Sequence, residues 1–308
     1  MPLKSALHIR PESILFATDL SFESERAMRH AAALARHYRA KLHMVHVVSS
    51  MGVKLAGPEA LAMATVANRR DLDNLTRKLA AEGRLEGVVH DALVCSGEIW
   101  PQLERLLDEY SADVIVIGTH GRRGLGRLLL GSVAEEIIRR ADCPVLTVGP
   151  DFSVSGVENT RAPRPVLLAT DFQPASLRAL PYVATFAKER RVPLILLYVV
   201  PLLPESGESD WRRSDSLQER REQAEALALE KLKALMHRHA IDEGQVECVV
   251  RCGEPAEEIL KFAREFPLDV IAMGLHRSVY PEAVTHFRKT VAHQVISRAR
   301  CAVLTVRS

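Results

Sequence analysis

Residues 14–21 read ILFATDLS and residues 166–173 read VLLATDFQ. An apolar run of strand length, followed by Thr-Asp and a polar turn, is thus present twice in the chain. Two further blocks repeat in the same order, DVIVIGTH at 113–120 with DVIAMGLH at 269–276, and CPVLTV at 143–148 with CAVLTV at 301–306. The spacing between copies changes by only a few residues. The chain is therefore predicted to contain two homologous units that differ by short loop insertions.

The repeats set the predicted domain boundaries. The segment between the two units, GPDFSVSGVENTRAPRP at 149–165, is rich in Pro, Gly and Ser and has no periodicity, which is typical of a linker. We predict a first domain over 1–149, a linker over 150–165 and a second domain over 166–308. Each unit is long enough to bury a core of its own.

Within each unit, short runs rich in Val, Ile and Leu alternate with longer amphipathic runs. Strands are predicted in the first unit at 14–18, 42–48, 88–94, 113–117 and 144–148, with helices at 23–38, 60–82, 98–110 and 132–140. Strands are predicted in the second unit near 166–170, 194–200, 246–251, 269–273 and 302–306, with a long charged helix at roughly 209–239. This alternation predicts two doubly wound α/β domains with parallel sheets.

The composition excludes several classes of protein. The chain has 308 residues, and its 41 Lys+Arg against 39 Asp+Glu give a net charge of +2, which argues against coating DNA or an anionic membrane. Aromatic residues make up only 5%, which disfavours a stacking platform for single-stranded nucleic acid.

No run approaches the ~18 apolar residues of a membrane helix. Residues 1–10 lack a signal-peptide profile. Five cysteines, an odd number, favour a reducing compartment, so we expect a cytoplasmic protein without nucleic-acid or membrane partners.

Ligands of open parallel sheets bind at the carboxyl ends of the strands, and Asp19 directly follows the first strand. Its carboxylate can accept hydrogen bonds from a ribose hydroxyl or a base edge. Alternatively, Asp19 or Ser21 caps the helix that starts near Phe22. The matching Asp171 lies before Pro174, and proline is a natural first-turn residue of a helix. Helix capping therefore explains both aspartates as well as ligand binding does.

The segment after the fourth strand is rich in glycine. Gly118 and Gly121 allow close approach of the backbone to a ligand, and Gly131 and Ser132 lie where a helix begins, so backbone amides there would face an anion. Arg122 and its neighbouring arginines add charge that suits phosphate. Alternatively, Ser132 and Glu135 form a capping box that needs no ligand. Capping does not explain the other glycines or the arginines, so a phosphate site is favoured. The segment lacks a Walker A lysine and the G-x-G-x-x-G dinucleotide pattern.

The glycine spacing carries a family resemblance. Gly118 and Gly121, then nine residues, then Gly131-Ser132, form the pattern, together with ATD closing the first strand and HVV at 46–48 closing the second. With these motifs the chain resembles the universal stress protein family in its tandem form. The resemblance implies Rossmann-like domains of the adenine-nucleotide α-hydrolase type, each with five parallel strands in the order 3-2-1-4-5. It also implies ATP, with Mg²⁺, as the ligand in one branch of the family.

Carried over by position, the resemblance implies a nucleotide site in the first domain. Ala17 and Asp19 would border adenine and ribose, and Val47 would hold the base through its backbone. The residues implied at ribose and phosphates are Gly118, His120 and Gly121, with Arg122 beside them, and Gly131, Ser132 and Val133 at the terminal phosphates. The second unit departs from the pattern: Arg277 replaces Gly121, and Lys289-Thr290 replaces Gly131-Ser132. We therefore expect one competent site, in the first domain.

These observations predict an ATP-binding regulatory switch or scaffold in the stress response. Without a placed nucleophile, general base or Walker lysine, at most slow ATP hydrolysis is expected. One alternative is a structural module that binds protein partners without nucleotide. A second is an ATP-using enzyme of the wider adenine-nucleotide α/β group, whose loop signatures are absent. The segments 143–148 and 301–306 would be edge strands, so we expect them to pair within the chain as a pseudo-dimer, and full chains can form homodimers.

Two cysteines, Cys248 and Cys252, lie four residues apart on a predicted strand and so on one face. A zinc site needs further Cys or His ligands at suitable spacing, and no such array is present in the sequence. Packing of plain thiols is the favoured interpretation.

Overall fold

A computed structural model gives the fold of the chain. It describes residues 10–49, 57–119, 130–149, 164–201, 211–239, 241, 243–276 and 290–307. Among these residues, no helix is both long and apolar enough to span a bilayer.

The first domain alternates strands and helices throughout. Its strands are β1 Ser13–Ala17, β2 Lys41–Ser49, β3 His90–Gly97, β4 Val114–Gly118 and β5 Val145–Val148. Its helices are α1 Phe22–Tyr38, α2 Gly57–Ala81, α3 Ile99–Glu109 and α4 Ser132–Arg140. The bounds differ from the predicted ones by three residues or fewer, because the ends are set by turns that hydrophobic periodicity does not register.

The second domain repeats this order. Its strands are β6 Val166–Ala169, β7 Leu194–Pro201, β8 Val246–Gly253, β9 Val270–Leu275 and β10 Ala302–Arg307. Its helices are α5 Pro174–Arg190, α6 Trp211–Arg238, α7 Pro255–Glu265 and α8 Val291–Arg298, with a short 3-10 turn at Glu243–Gln245. The predicted long charged helix is α6.

All ten strands form one sheet, in the order β3-β2-β1-β4-β5-β10-β9-β6-β7-β8. Strands are parallel within each half, and each half has the predicted order 3-2-1-4-5, so the fold prediction is confirmed. The halves join through the antiparallel pair β5–β10, in which Leu146 lies opposite Leu304. This confirms the expected pairing of the last strands within one chain.

The junction between the halves is itself two-fold symmetric. The hydroxyl of Thr147 donates to the carbonyl oxygen of Val303 at 3.0 Å, and the hydroxyl of Thr305 donates to the carbonyl oxygen of Val145 at 3.3 Å. Both threonines are 1% exposed. Each hydroxyl therefore has its hydrogen-bond partner in a buried position, where an unpaired one would cost free energy.

The central strands are buried on both faces. Ile14, Leu15 and Phe16 are fully buried, as is Ile115 on the neighbouring strand β4. Helices cover both faces of the sheet, so the strands read as continuous apolar runs instead of alternating ones. The rigid strands hold their carboxyl ends, and the turns that follow them, in fixed positions.

Candidate functional site

The candidate site lies at the carboxyl edge of the first domain's sheet. Ala17, the last residue of β1, is in register with Val45 of β2 and with Ile117 of β4. Asp19, Val47 and Gly118 therefore come out at the same edge of three adjacent parallel strands. This is the position beside the reversal of strand order where open α/β sheets bind ligands.

A tight turn connects β1 to α1 and presents Asp19. Leu20 has a positive φ of 61°, and its amide donates to the hydroxyl oxygen of Thr18 at 2.9 Å. The buried hydroxyls of Thr18 and Ser24 lie 2.8 Å apart, within hydrogen-bonding distance. These contacts fix the turn from inside, because each buried hydroxyl has a polar partner.

The structure resolves which residue caps α1. Ser21 is the N-cap, and its side chain accepts a hydrogen bond from the amide of Ser24 at 3.1 Å. Asp19 instead accepts from the amide of Ser21 through Oδ1, at 3.0 Å. This Asx-type contact orients the carboxylate of Asp19 at the edge of the sheet.

A histidine of β2 completes this part of the edge. Nδ1 of His46 lies 2.7 Å from the carbonyl oxygen of Thr18, which can only accept, so the ring donates through Nδ1–H. The amide of Thr18 in turn donates to the carbonyl oxygen of Val45 at 2.9 Å. His46 is 7% exposed, so it acts as a buried tie between β2 and the turn that carries Asp19.

The N-terminus of α4 lies at the same edge. The amide of Gly131 donates to the carbonyl oxygen of Thr119 at 3.0 Å, which ties the start of α4 to the end of β4. Gly131 is the N-cap and has no side chain to accept from the first-turn amides. The capping-box alternative is therefore wrong: Ser132 is the first residue of the helix instead of its cap, and Glu135 is buried. Ser132 and Val133 are exposed.

The second domain builds the same turn from matching residues. Phe172 has a φ of 61°, and its amide donates to the hydroxyl of Thr170 at 3.0 Å; that hydroxyl lies 3.0 Å from the hydroxyl of Ser176. The carboxylate of Asp171 accepts from the amide of Gln173 through Oδ1 at 3.0 Å, as Asp19 does from Ser21, and it has two further donors. It accepts from Ser176 Oγ at 2.6 Å and from His276 Nε2 at 3.1 Å.

Those contacts change the acidity of Asp171. Burial acts to raise its pKa, but hydrogen bonds from Ser176 and His276 outweigh burial and hold the pKa of Asp171 below its usual value. Asp171 is therefore a carboxylate that already has two side-chain donors.

At the carboxyl edge of the second domain, aromatic side chains take the positions of smaller side chains in the first domain. Phe172 corresponds to Leu20, and Tyr198 corresponds to His46. The rings of Phe172 and Tyr198 have centroids 4.8 Å apart, and Nζ of Lys231 lies 5.9 Å from the Phe172 centroid. Helix α8, the counterpart of α4 in the second domain, also starts differently. The N-cap of α8 is Thr290, whose side chain accepts from the amide of His293 at 3.2 Å.

The sequence-predicted residues divide into two groups. The structure brings together one set at the edge described above, Ala17, Asp19, Val47, Gly118, Gly131, Ser132 and Val133. Another set, His120, Gly121 and Arg122, lies outside the described residues, as do Arg277 and Lys289 of the second domain.

The sequence analysis did not assign a role to three residues whose hydrogen bonds hold the turn that carries Asp19. These are Thr18, Ser24 and His46, all buried. A signal for two of them was present: Thr18 and Ser24 recur as Thr170 and Ser176 at the same spacing in the repeat. His46 left no such signal, because Tyr198 takes its place in the register of β7 with β6.

The structure places the two cysteines of β8 beside helix α6. Sγ of Cys252 lies 2.8 Å from Oε1 of Glu225 on α6, and both Cys248 and Cys252 are partly buried. Within the described ranges, no cluster of three or more His, Cys, Asp or Glu side chains is arranged to hold a metal ion.

Comparisons with known proteins all identify the same family. A sequence profile described as the universal stress protein family matches residues 11–149 and again residues 163–307. A universal stress protein of Mycolicibacterium smegmatis is 30% identical over 269 residues, which cover 84% of this chain and 85% of that protein. A universal stress protein of Mycobacterium tuberculosis is 27% identical over 275 residues, covering 87% and 88% of the two chains.

Among solved structures, a universal stress protein from Archaeoglobus fulgidus has the same fold. It superposes with a TM-score of 0.63 at 20% identity, over 97% of this chain and 99% of the other. This likeness extends over both domains.

Proposed function

Since the chain belongs to the universal stress protein family, we propose that its first domain binds ATP and that the protein acts as a nucleotide-dependent regulatory switch or scaffold in the stress response. The observation that carries the proposal is the N-terminus of α4, whose N-cap Gly131 has no side chain, at the same edge as the Asp19 turn. First-turn amides and the helix dipole attract phosphate oxygens when no side chain of the N-cap takes up those amides.

The chemistry of the edge fits a nucleoside triphosphate. The carboxylate of Asp19 is suited to ribose hydroxyls, and the first-turn amides of the exposed residues Ser132 and Val133 are suited to terminal phosphates. Mg²⁺ would be held by phosphate oxygens and water, as is usual for this ion, so no protein ligand is assigned to it. The glycine-rich segment after β4 has no Walker A lysine, so regulation by binding is favoured over rapid turnover.

The second domain supplies the contrast. Asp171 is engaged by Ser176 and His276, and Thr290 caps α8 with its own hydroxyl. A nucleotide would have to displace these contacts and pass the paired rings of Phe172 and Tyr198. We therefore assign the nucleotide to the first domain.

The direct test uses the purified full chain. After denaturation, the supernatant is separated by ion exchange, and Mg·ATP is titrated into nucleotide-free protein with thermal unfolding as the readout. At a concentration 100 times the dissociation constant, binding stabilises by about 2.7 kcal/mol, which raises the melting temperature by several degrees. Co-purified ATP or ADP, or this shift, is the expected result.

Matched variants locate the site. Asp19→Ala and Gly131→Val are expected to weaken ATP binding at least tenfold, whereas Asp171→Ala leaves the affinity unchanged. Absence of both bound nucleotide and thermal shift would overturn the proposal and favour a nucleotide-free interaction module. Loss of binding in Asp171→Ala with retention in Asp19→Ala would move the site to the second domain.

A further inference from the structure

A cavity of about 140 Å³ lies where the two domains meet, and we call it the interdomain cavity. Its floor is Leu146 of β5 and Leu304 of β10, which face each other across the antiparallel junction. Both leucines are only partly buried, although they lie at the centre of a ten-stranded sheet and their neighbours Val145 and Val303 are 2% and 1% exposed. Among the described residues, the sheet is therefore left partly uncovered at one place, between the helices of the two domains.

The walls of the interdomain cavity are apolar and come from both domains. Helix α1 contributes Ala33 and Leu34, and helix α5 contributes Val183 and Phe186. The tyrosines Tyr38 and Tyr182 also line the cavity. Aromatic residues make up only 5% of the chain, so three of them around one cavity is a local concentration. Aromatic rings favour edge-to-face and offset contacts with another ring.

Two polar side chains that line the cavity, His30 and Tyr182, are uncharged. His30 is 8% exposed, and desolvation by burial lowers its pKa to about 3, so its ring is neutral at pH 7. Burial, with smaller contributions from Cys143 and Asp113, raises the pKa of Tyr182, so its hydroxyl stays protonated. Neutral rings and a hydroxyl can exchange single hydrogen bonds with a ligand but do not attract an ion.

The charged residues around the cavity already have partners. The carboxylate of Asp113 accepts from the amides of Glu12 and Ser13 at 2.7 and 3.0 Å, through Oδ2. Asp269 accepts from the amide of Arg164 at 3.3 Å. The guanidinium of Arg190 lies 5.5 Å from the centroid of the Phe186 ring. An ionic ligand would therefore have to compete with contacts that the protein makes itself.

We propose that the interdomain cavity binds one small uncharged aromatic molecule with a single hydrogen-bonding group, of the size of phenol or indole. An apolar cavity of about 150 Å³ is large enough to hold benzene. Few polar groups converging in a mostly apolar pocket at a domain interface are typical of small-molecule sites. This site is separate from the ATP site proposed above and does not depend on it.

The two halves of the cavity are not equivalent, which favours one orientation of the ligand. His30 and Tyr182 occupy the same position in the 17-residue helices α1 and α5, as do Leu34 and Phe186. The pseudo-symmetry of the fold thus places an imidazole opposite a phenol. The single polar group of a ligand therefore meets different partners in its two possible orientations.

The test is a titration of the full-length protein with phenol and with indole, followed by calorimetry and ligand-observed NMR. Ligands of this size that bind well reach dissociation constants on the order of 0.1 mM. Ala33→Leu adds volume to the wall and is expected to weaken binding at least tenfold. The matched control is Ala67→Leu on the exposed side of α2, which should leave the dissociation constant unchanged.

A second variant keeps the proposal testable if Ala33→Leu does not fold. Leu304→Ala removes part of the floor and is expected to admit 1-naphthol, which the natural cavity is too small to hold. Absence of saturable binding of phenol and indole to the natural chain overturns the proposal. So does equal binding of benzoate, or an unchanged dissociation constant in folded Ala33→Leu. Binding should persist in Asp19→Ala, so failure here is distinguishable from failure of the ATP proposal.

Discussion

The carboxyl edges of the two domains each contain the same kind of turn, but the side chains around the two turns differ. In both, a threonine hydroxyl holds the amide of a residue with positive φ and lies against a buried serine, Thr18 with Ser24 and Thr170 with Ser176. Around the first turn lie His46 and the start of α4, whose N-cap Gly131 has no side chain. The turn therefore belongs to the fold, whereas the side chains around it differ between the two domains.

At the carboxyl edge of the second domain, the described residues satisfy two polar groups internally. His276 and Ser176 donate to Asp171, and Thr290 caps α8. The rings of Phe172 and Tyr198 pack together beside them. Polar groups that the protein satisfies internally offer a ligand little further gain, because each new hydrogen bond replaces an existing one.

The largest effect is expected at Gly274, where the second domain is packed most tightly. A Cβ added there would lie 2.1 Å from the backbone nitrogen of Ser176 and 2.3 Å from the carbonyl carbon of Ala175, so α5 would have to move. Gly274→Ala is expected to lower the free energy of unfolding by about 3 kcal/mol or more. Urea unfolding followed by circular dichroism measures it.

The control for Gly274→Ala is Gly149→Ala, whose added Cβ would come no closer than 3.4 Å to the carbonyl oxygen of Ala299. It should cost less than about 1 kcal/mol. A small loss in Gly274→Ala would mean that α5 lies farther from β9 than the structure has it. The same substitution at Gly118 then shows whether α1 packs against β4 as closely as α5 packs against β9.

An intermediate effect is expected at the shared turn. Thr18→Val and Thr170→Val each remove a hydroxyl that serves one amide and one buried serine. Each variant is expected to lose about 1 to 2 kcal/mol of stability, by a similar amount, because the same contacts are lost. The free energies of unfolding of the two variants measure the effect. Thr→Ser at each site retains the hydroxyl and should recover most of the loss; unequal losses would break the equivalence of the two turns.

The smallest effect is expected from His276→Ala. Because hydrogen bonds from Ser176 and His276 lower the pKa of Asp171 in the folded state, this carboxylate stabilises the fold above its unfolded pKa of about 3.9, and the stabilisation is lost as pH falls through the folded pKa. Removing His276 should therefore raise the pKa of Asp171 toward its usual value. The loss of stability near neutral pH should stay under about 1 kcal/mol, because both side chains are more than half exposed.

The measurement for His276→Ala is an NMR titration of the Asp171 carboxyl carbon. His237→Ala, which removes an exposed histidine at the end of α6, is the control and should leave that pKa unchanged. An unchanged pKa in His276→Ala would mean that Asp171 is not held by the histidine. The second edge would then lose one of the contacts that hold Asp171.

Part of the candidate site could be predicted from the sequence. The repeated ATD block places Asp19 at the end of β1, and the strand order that the resemblance implies places β1 between β2 and β4, as the structure has it. The sequence alone does not decide whether Asp19 or Ser21 caps α1, because both residue types serve as caps. The capping box at Ser132 was predicted as an alternative and is wrong, because α4 begins one residue earlier than that motif requires.

Local sequence determined the elements of this protein. Hydrophobic periodicity, apolar runs without alternation and the internal repeat indicated two α/β domains, since these patterns follow from which face of a helix or strand is buried. Only the tertiary structure decided the contacts that join distant segments. The tie of His46 to Thr18, the pairing of Asp171 with His276 and the interdomain cavity over Leu146 and Leu304 depend on through-space distances. Such distances are set by packing between elements, which a residue pattern along the chain does not encode.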